Sequence, residues 1–203
     1  MDRYGSYAEL SASEVEGRDY RVHVRLADSP FAVVAPHGGR IERGTIPIAE
    51  AIAGNEHTYY CFEGIKPRRN YSLHITSDKF DEPRALTAVR RVRTVVTVHG
   101  AGGSGCVVYL GGLDSALRAR LISALDASAF AAAEDPSPTR QGTGKTNICN
   151  RGRSGRGVQI ELPVGLRKQM FHQSAPGIWD PNALCHHFVD SIRAVLSEYG
   201  KAS

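Results

Sequence analysis

The chain has 203 residues, of which 41% are hydrophobic and 23% charged, so it can bury a core and is neither fibrous nor disordered. No run of about 18 apolar residues exists, which excludes a spanning helix, and the start MDRYGSYAEL lacks the basic and apolar stretches of a secretory signal, so a cytoplasmic product is expected. Lys and Arg total 25 against 21 Asp and Glu, a net charge of +4 that is compatible with nucleic acid, an anionic polymer or no particular partner. In chain order the pattern predicts strands at Tyr20–Leu26 and Phe31–Ala35, then a helix after Thr45 with Pro47 near its start and Gly54 as its stop. A strand at Thr58–Phe62 and another at Leu73–Thr76 follow, then a helix from about Asp81 with Pro83 in its first turn. Strands at Thr94–Val98 and Val107–Leu110 precede a helix after Asp114 that carries Leu117, Leu121, Ile122 and Leu125. The Gly-, Ser-, Thr- and Arg-rich segment Glu134–Gly157 reads as a long surface loop. A strand at Gly157–Leu162 and a helix from Asp180, with Pro181 in its first turn, to Gly200 close the chain. Caps, early prolines and terminal glycines place the helix ends. Strands alternating with helices, without repeats or a linker, predict an α/β fold in one domain spanning 1–203.

The runs FAVVA and TVVTV are almost wholly apolar, as expected of central strands covered on both faces. Ligands in open α/β sheets bind beyond the carboxyl ends of such strands. Pro36-His37-Gly38-Gly39-Arg40-Ile41-Glu42 follows the first run, and His99-Gly100-Ala101-Gly102-Gly103 follows the second. A bend through Gly38 and Gly39 can bring His37 and Glu42 to one point, and His99 completes a His-Glu-His set. Two imidazoles and one carboxylate, with a fourth position open, form a catalytic zinc arrangement. Against this stands the reading of two hydrogen-bonded loop histidines and a solvated acid; the paired placement, each His at a strand end and before glycine, favours the metal.

Glu161 lies near the end of the apolar strand Gly157–Leu162. It is either a solvent-facing residue on an edge strand, in alternation with Gln159, or a buried general base beside the metal. The residues alone leave both open.

The segments APHGGRIERGT, YYCFEGIK, SLHITSDKFDEP, VVTVHG, VVYLGG, NICNRG and GVQIELP, in this order, closely resemble the phage-type poly-γ-glutamate hydrolases, from about Tyr4 to Leu196. The resemblance implies a zinc-carboxypeptidase-like architecture, α/β with a mixed, largely parallel central sheet flanked by helices. It also implies one Zn2+ per chain, held by His37, Glu42 and His99, with Glu161 as the general base, and hydrolysis of γ-glutamyl amides in a polyanionic peptide. The first His and the Glu are five apart here, against three in the carboxypeptidases; the longer spacing fits the hydrolase family. If the source is a phage, lysis would release the protein to its substrate.

Asn150-Arg151 resembles the pair that holds a substrate carboxylate in carboxypeptidases, and an Arg fork suits the free α-carboxylates of poly-γ-glutamate. Arg151 and Asn150 are therefore expected to bind substrate, with Arg40 and His74 as further lining residues. Arg153 and Arg156 read as solvated. Two other readings of the residues stay open. One is a zinc amidase acting on cell-wall peptide or another acylated amino acid. The other, nucleic-acid binding, is set lower: no helix-turn-helix or zinc finger is present, and the aromatics do not interleave with the basic loop. Gln141-Gly142-Thr143-Gly144-Lys145-Thr146 resembles the end of a phosphate-binding loop, but Thr139 occupies the place of its first glycine. No nucleic-acid or membrane partner is expected, and a monomer is the default. Cys61, Cys106, Cys149 and Cys185 form no C-x-x-C pair and read as buried or inert thiols, with a disulfide left open for a protein that works outside the cell.

Overall fold

The computed structural model describes residues 2–175 and 178–201. Its elements run α1 (Tyr7–Ser11), β1 (Tyr20–Arg25), β2 (Phe31–Gly39), α2 (Thr45–Ala53), β3 (Thr58–Gly64), α3 (Pro83–Arg91), β4 (Thr94–Ala101), β5 (Val108–Gly111), α4 (Ser115–Ala127), β6 (Ala132–Glu134), β7 (Val158–Pro163), α5 (Val164–Gln169), β8 (Phe171–Ala175), β9 (Ile178–Pro181) and α6 (Ala183–Lys201). Side-chain oxygens close several helix starts. Glu82 accepts from the Ala85 N–H at 2.8 Å and Asp114 from the Leu117 N–H at 3.1 Å, each satisfying one donor that the helix leaves orphaned.

Seven strands form one sheet in the order β1-β3-β2-β4-β7-β5-β6. The central four, β3, β2, β4 and β7, are parallel. Antiparallel β1 lies on one side, and the mutually parallel pair β5–β6 runs antiparallel to β7 on the other. The sheet is thus mixed and largely parallel, as expected. The strand order reverses at β2, whose successor β3 lies on one side and whose later neighbour β4 lies on the other. That reversal opens a crevice at the carboxyl ends of β2 and β4.

The sheet separates two apolar clusters. Val33, Ala35, Val96, Val98, Ile160 and Leu162 face α2, α4 and α6, meeting Ile48, Ile52, Leu117, Leu121, Phe188 and Ile192. Ala32, Val34 and Val95 point the other way, toward Tyr60, Phe62, Phe80, Ala85 and Val89. Two-sided burial explains why the strands FAVVA and TVVTV carry hardly a polar residue. Each fully buried aliphatic side chain contributes about 1.5–3 kcal/mol of transfer free energy before entropy is counted.

Three expectations need correction, and one open alternative closes. The segment Leu73–Thr76 is not a strand: a 3-10 turn spans Asn70–Leu73 and the chain then runs extended. Leu73 and Ile75 are buried while His74 and Thr76 are half-buried, so the period-two alternation is real but no ladder partner accompanies it. The stretch from Glu134 to Gly157 is not a purely solvated loop. Asp135, Asn147, Ile148, Cys149 and Asn150 are buried in it, and a second 3-10 turn, Ile148–Asn150, packs under β4. The last helix begins at Ala183 rather than Asp180; Pro181 ends β9, and the Asn182 carboxamide oxygen accepts from the Leu184 and Cys185 N–H groups. Finally, β7 lies between β4 and β5 and is not an edge strand. Elements α1, β6, α5, β8 and β9 were too short to show in the pattern.

Candidate active site

His37 belongs to β2 itself. The β2–β3 register slips between Ala35, opposite Cys61, and Gly38, opposite Glu63, so β2 holds one extra residue there. A bulge of this kind re-aims the side chains after it. Val33 and Ala35 face the α2 and α6 side, whereas the His37 ring lies 6.0 Å from Phe80 on the opposite side. His99 and Glu161 reach that same side by simple alternation with Val98, Ile160 and Leu162.

Glu42 returns to His37 through a tight bend. Its N–H donates to the His37 carbonyl at 2.9 Å, and the Arg40 N–H donates to the Gly64 carbonyl at 2.9 Å. Gly39 makes the bend possible, with φ of 64° and a site where a Cβ would stand 2.6 Å from the Gly64 carbonyl oxygen. Gly100 serves from the other side: its N–H donates to Glu42 Oε2 at 2.8 Å, and a Cβ there would lie 2.9 Å from the Glu42 Cβ.

Three ligand atoms therefore converge. His37 Nδ1 lies 3.2 Å from His99 Nδ1 and 3.3 Å from Glu42 Oε1, while His99 Nδ1 lies 3.8 Å from Glu42 Oε2. Candidate ligand atoms of all three residues fall within 4.8 Å of one another. The His37 Nε2 is 2.7 Å from the Ile75 carbonyl. A carbonyl only accepts, so Nε2 carries a proton and Nδ1 is the atom turned to the centre, where its lone pair serves a cation that displaces the second proton. This is the backbone orientation expected of a metal-ligating histidine. His99 Nε2 meets Ser77 Oγ at 3.5 Å.

The electrostatics fit a cation at that point. Burial works against the Glu42 carboxylate, but His37, His99 and the Gly100 N–H outweigh it and hold its pKa at about 2. Burial depresses His99 to about 3, with His37 and His74 adding to the effect, so His99 is neutral. Burial also opposes charge on His37, yet Glu42 overcomes it and raises that pKa. The set thus stabilises one positive charge at its centre. Two inward lone pairs and an ionised carboxylate are the donors that zinc takes.

Glu161 stands in register with His99. Burial, with Glu42 as a neighbouring like charge, pushes its carboxyl up to about 8. Gln159, on the same face, donates from Nε2 to Glu161 Oε1 at 3.0 Å, and its own oxygen accepts from Asn147 Nδ2 at 3.2 Å. A cavity of about 670 Å³ opens here, lined by His37, Glu42, His99 and Glu161 together with Arg40, Arg43, His74, Arg140 and Arg167.

Of the expected substrate contacts, two reach this cavity. Arg40 sits at its rim, donating to the Lys66 carbonyl at 2.9 Å. His74 packs at a tilt of 32° against His37 with 4.0 Å between ring centres and bonds through Nδ1 to Asp2 Oδ1 at 2.7 Å. Asn150 and Arg151 do not line it. The Asn150 carboxamide is buried and spent on the backbone. Its Nδ2 donates to the Gly142 and Gly144 carbonyls at 2.7 and 2.8 Å, and its oxygen accepts from Leu113 and Gly157 N–H groups at 3.2 and 3.1 Å. Asn150 clamps the long loop through these four bonds.

Several site residues escaped the sequence reading. Gln159 was visible through its alternation with Glu161. Arg167 gave no signal: it is buried on α5, and its guanidinium donates to the carbonyls of Leu162 at 2.9 Å, Ala101 at 3.1 Å and Arg43. It thereby ties β7, β4 and the Glu42 bend together. Arg140 pairs with buried Asp135 through two hydrogen bonds of 2.9 and 3.1 Å.

Comparison with known proteins places these features in a family. A model of the poly-γ-glutamate hydrolase family matches residues 4–187. UPF0714 protein YndL of Bacillus subtilis is 36% identical over 171 residues, covering 84% of this chain and 67% of that protein. The SPβ prophage-derived protein YoqZ of the same organism is 32% identical over 84% of this chain; this chain spans only 62% of its length. A bacteriophage poly-γ-glutamate hydrolase structure superposes with a TM-score of 0.94 at 27% identity over the whole of both chains. The chain belongs to the poly-γ-glutamate hydrolase family.

Proposed function

We propose that this protein hydrolyses the γ-glutamyl amide bonds of poly-γ-glutamate, with one zinc ion held by His37, Glu42 and His99 and with Glu161 as general base. The convergence of two histidine Nδ1 atoms and one carboxylate at a strand-order reversal, with a buried carboxyl in register beside them, is the observation that carries this reading. A zinc-free YndL structure with a TM-score of 0.91 at 32% identity, covering 98% of this chain and 99% of that one, supports zinc as the metal.

Bound zinc supplies a Lewis acid that activates water near neutral pH and polarises an amide carbonyl. The protein's own groups do the rest. Gln159 fixes one Glu161 oxygen and leaves the other to exchange a proton. Glu161 takes a proton from the attacking water as the C–O bond forms and then passes it to the departing nitrogen, so that the C–N bond breaks and the amine leaves neutral. A buried carboxyl beside the bound cation is placed to accept a proton and return it within the same turnover. Gly100 and Arg167 hold Glu42 and its bend in place. Arg40, Arg43 and His74 line the cavity where the carboxylates of the chain would lie.

Digestion of poly-γ-glutamate by protein purified without a metal-affinity tag tests this, with products sized before and after chelation. Shortening that stops on chelation and returns with zinc is expected. Intact polymer, with cleavage of peptidoglycan fragments instead, would move the protein to the cell-wall amidases.

A further inference from the structure

A second cavity of about 880 Å³ lies beside the first and shares with it Arg40, Arg43, Val164 and Arg167. Its remaining cations are Arg68, Arg69 and Lys168. Against these six positive side chains it holds one carboxylate, Glu63, which is already engaged by His23 Nε2 at 3.1 Å.

Several arginines elsewhere on the surface are neutralised by ion pairs. Arg18, Arg84, Arg118, Arg140 and Arg193 each meet a carboxylate within 3.0 Å. Arg43, Arg68, Arg69 and Lys168 have no ion-pair partner among the described residues, and all four are exposed. Unpaired like charges gathered in one concavity repel one another and raise the local affinity for anions. Arg69 also holds a left-handed backbone, φ 56°, a conformation unfavourable to a non-glycine residue. The wall is not purely ionic. Phe171 and the exposed Trp179 line the same space, and offer apolar surface to methylene groups.

We infer that this second cavity is a binding site for γ-glutamyl units remote from the bond being cut, so that the enzyme grips a run of the polymer rather than one residue. The inference rests on the proposed poly-γ-glutamate substrate. Each γ-linked unit carries one free α-carboxylate and two backbone methylenes, and this cavity pairs unpartnered guanidinium and ammonium groups with an aromatic wall. The shared Arg40 and Arg43 give the chain a continuous cationic path from the proposed zinc ligands. KM then falls as oligomers lengthen enough to reach the second cavity.

The test uses Glu161→Gln protein, so that the polymer survives, and fluorescently labelled poly-γ-glutamate as probe in anisotropy titrations. The triple change Arg68→Gln, Arg69→Gln and Lys168→Gln, added to Glu161→Gln, alters only exposed side chains, and thermal melting checks its fold. About tenfold weaker binding, with a shallower dependence on salt, is expected. In the catalytically intact background the same triple change should flatten the fall of KM with chain length. Equal polymer affinity with and without the triple change would overturn the inference, as would a KM independent of chain length in the unaltered enzyme. If the zinc-loaded protein binds the polymer through these residues but never cleaves it, the reaction assignment fails and the binding site stands.

Discussion

Glu161 on β7 and His99 on β4 are paired positions of one parallel ladder, and their side chains leave the sheet on the same face. The pairing fixes the proposed base beside a proposed zinc ligand through backbone hydrogen bonding, without relying on a mobile loop. Glu161→Gln should therefore keep the fold and the metal while lowering kcat by about 10²–10⁴. Steady-state kinetics alongside zinc content check this; a near-native kcat would remove Glu161 from the mechanism.

Glu161 also predicts a pH dependence of stability in the metal-free protein. Its folded pKa of about 8 exceeds the ordinary 4.5, so between these values the folded state binds the proton more tightly than the unfolded chain. The stabilisation is fully present below about 4.5 and is lost as pH rises through about 8. In denaturant melts of stripped protein, the Glu161→Gln variant should lack this decline. The difference between the two proteins should reach the order of a few kcal/mol. Parallel pH profiles for the two would contradict the assignment.

Zinc should stabilise the native protein. Metal in thousandfold excess over its dissociation constant contributes about 4 kcal/mol by mass action, visible as a rise in melting temperature. His99→Ala removes one of three ligands and should abolish that rise while leaving a folded protein. A rise of equal size in the variant would place the metal elsewhere.

Gly39 should not accept a side chain. Gly39→Ala meets both a positive φ and a carbonyl oxygen at 2.6 Å, and is expected to cost about 1–3 kcal/mol. Because the same bend delivers Glu42, zinc affinity should fall with stability. Denaturant unfolding and metal titration together check the coupling.

Asn150→Ala should act on stability, since four backbone groups each lose a hydrogen bond at once. A loss of about 2–4 kcal/mol is expected. In the variant fraction that remains folded, KM should change little, which separates a loop clamp from a substrate contact.

The sequence made much of this site legible because its residues break patterns. His37 and His99 interrupt apolar strands just before glycines, and Glu161 interrupts another. The mixed, largely parallel sheet also follows the expectation. What stayed hidden depends on groups that carry no local signature. The bulge that turns His37 across the sheet is a register property of two strands and exists only in their pairing. Arg167 reads as one more surface cation until α5 folds it under three carbonyls. Asn150 beside Arg151 looked like a carboxylate fork, but an Asn hydrogen-bonds backbone equally well, and only the loop's return path decides which. The alternation around His74 belonged to an unpaired extended segment, which has the burial rhythm of a strand without its ladder.

The strand-order reversal has a consequence for how the protein matures. His37 and His99 are 62 positions apart in the chain, on β2 and β4, which pair directly and in parallel. Such pairing needs a long crossover and carries a large loop-closure cost, so it forms slowly compared with local helices. The donor set therefore cannot assemble in a nascent or half-folded chain that has made α2 and β3 alone. Capture of the proposed ion would then be a late event of folding, and a chain that had acquired it would already have completed the centre of its sheet.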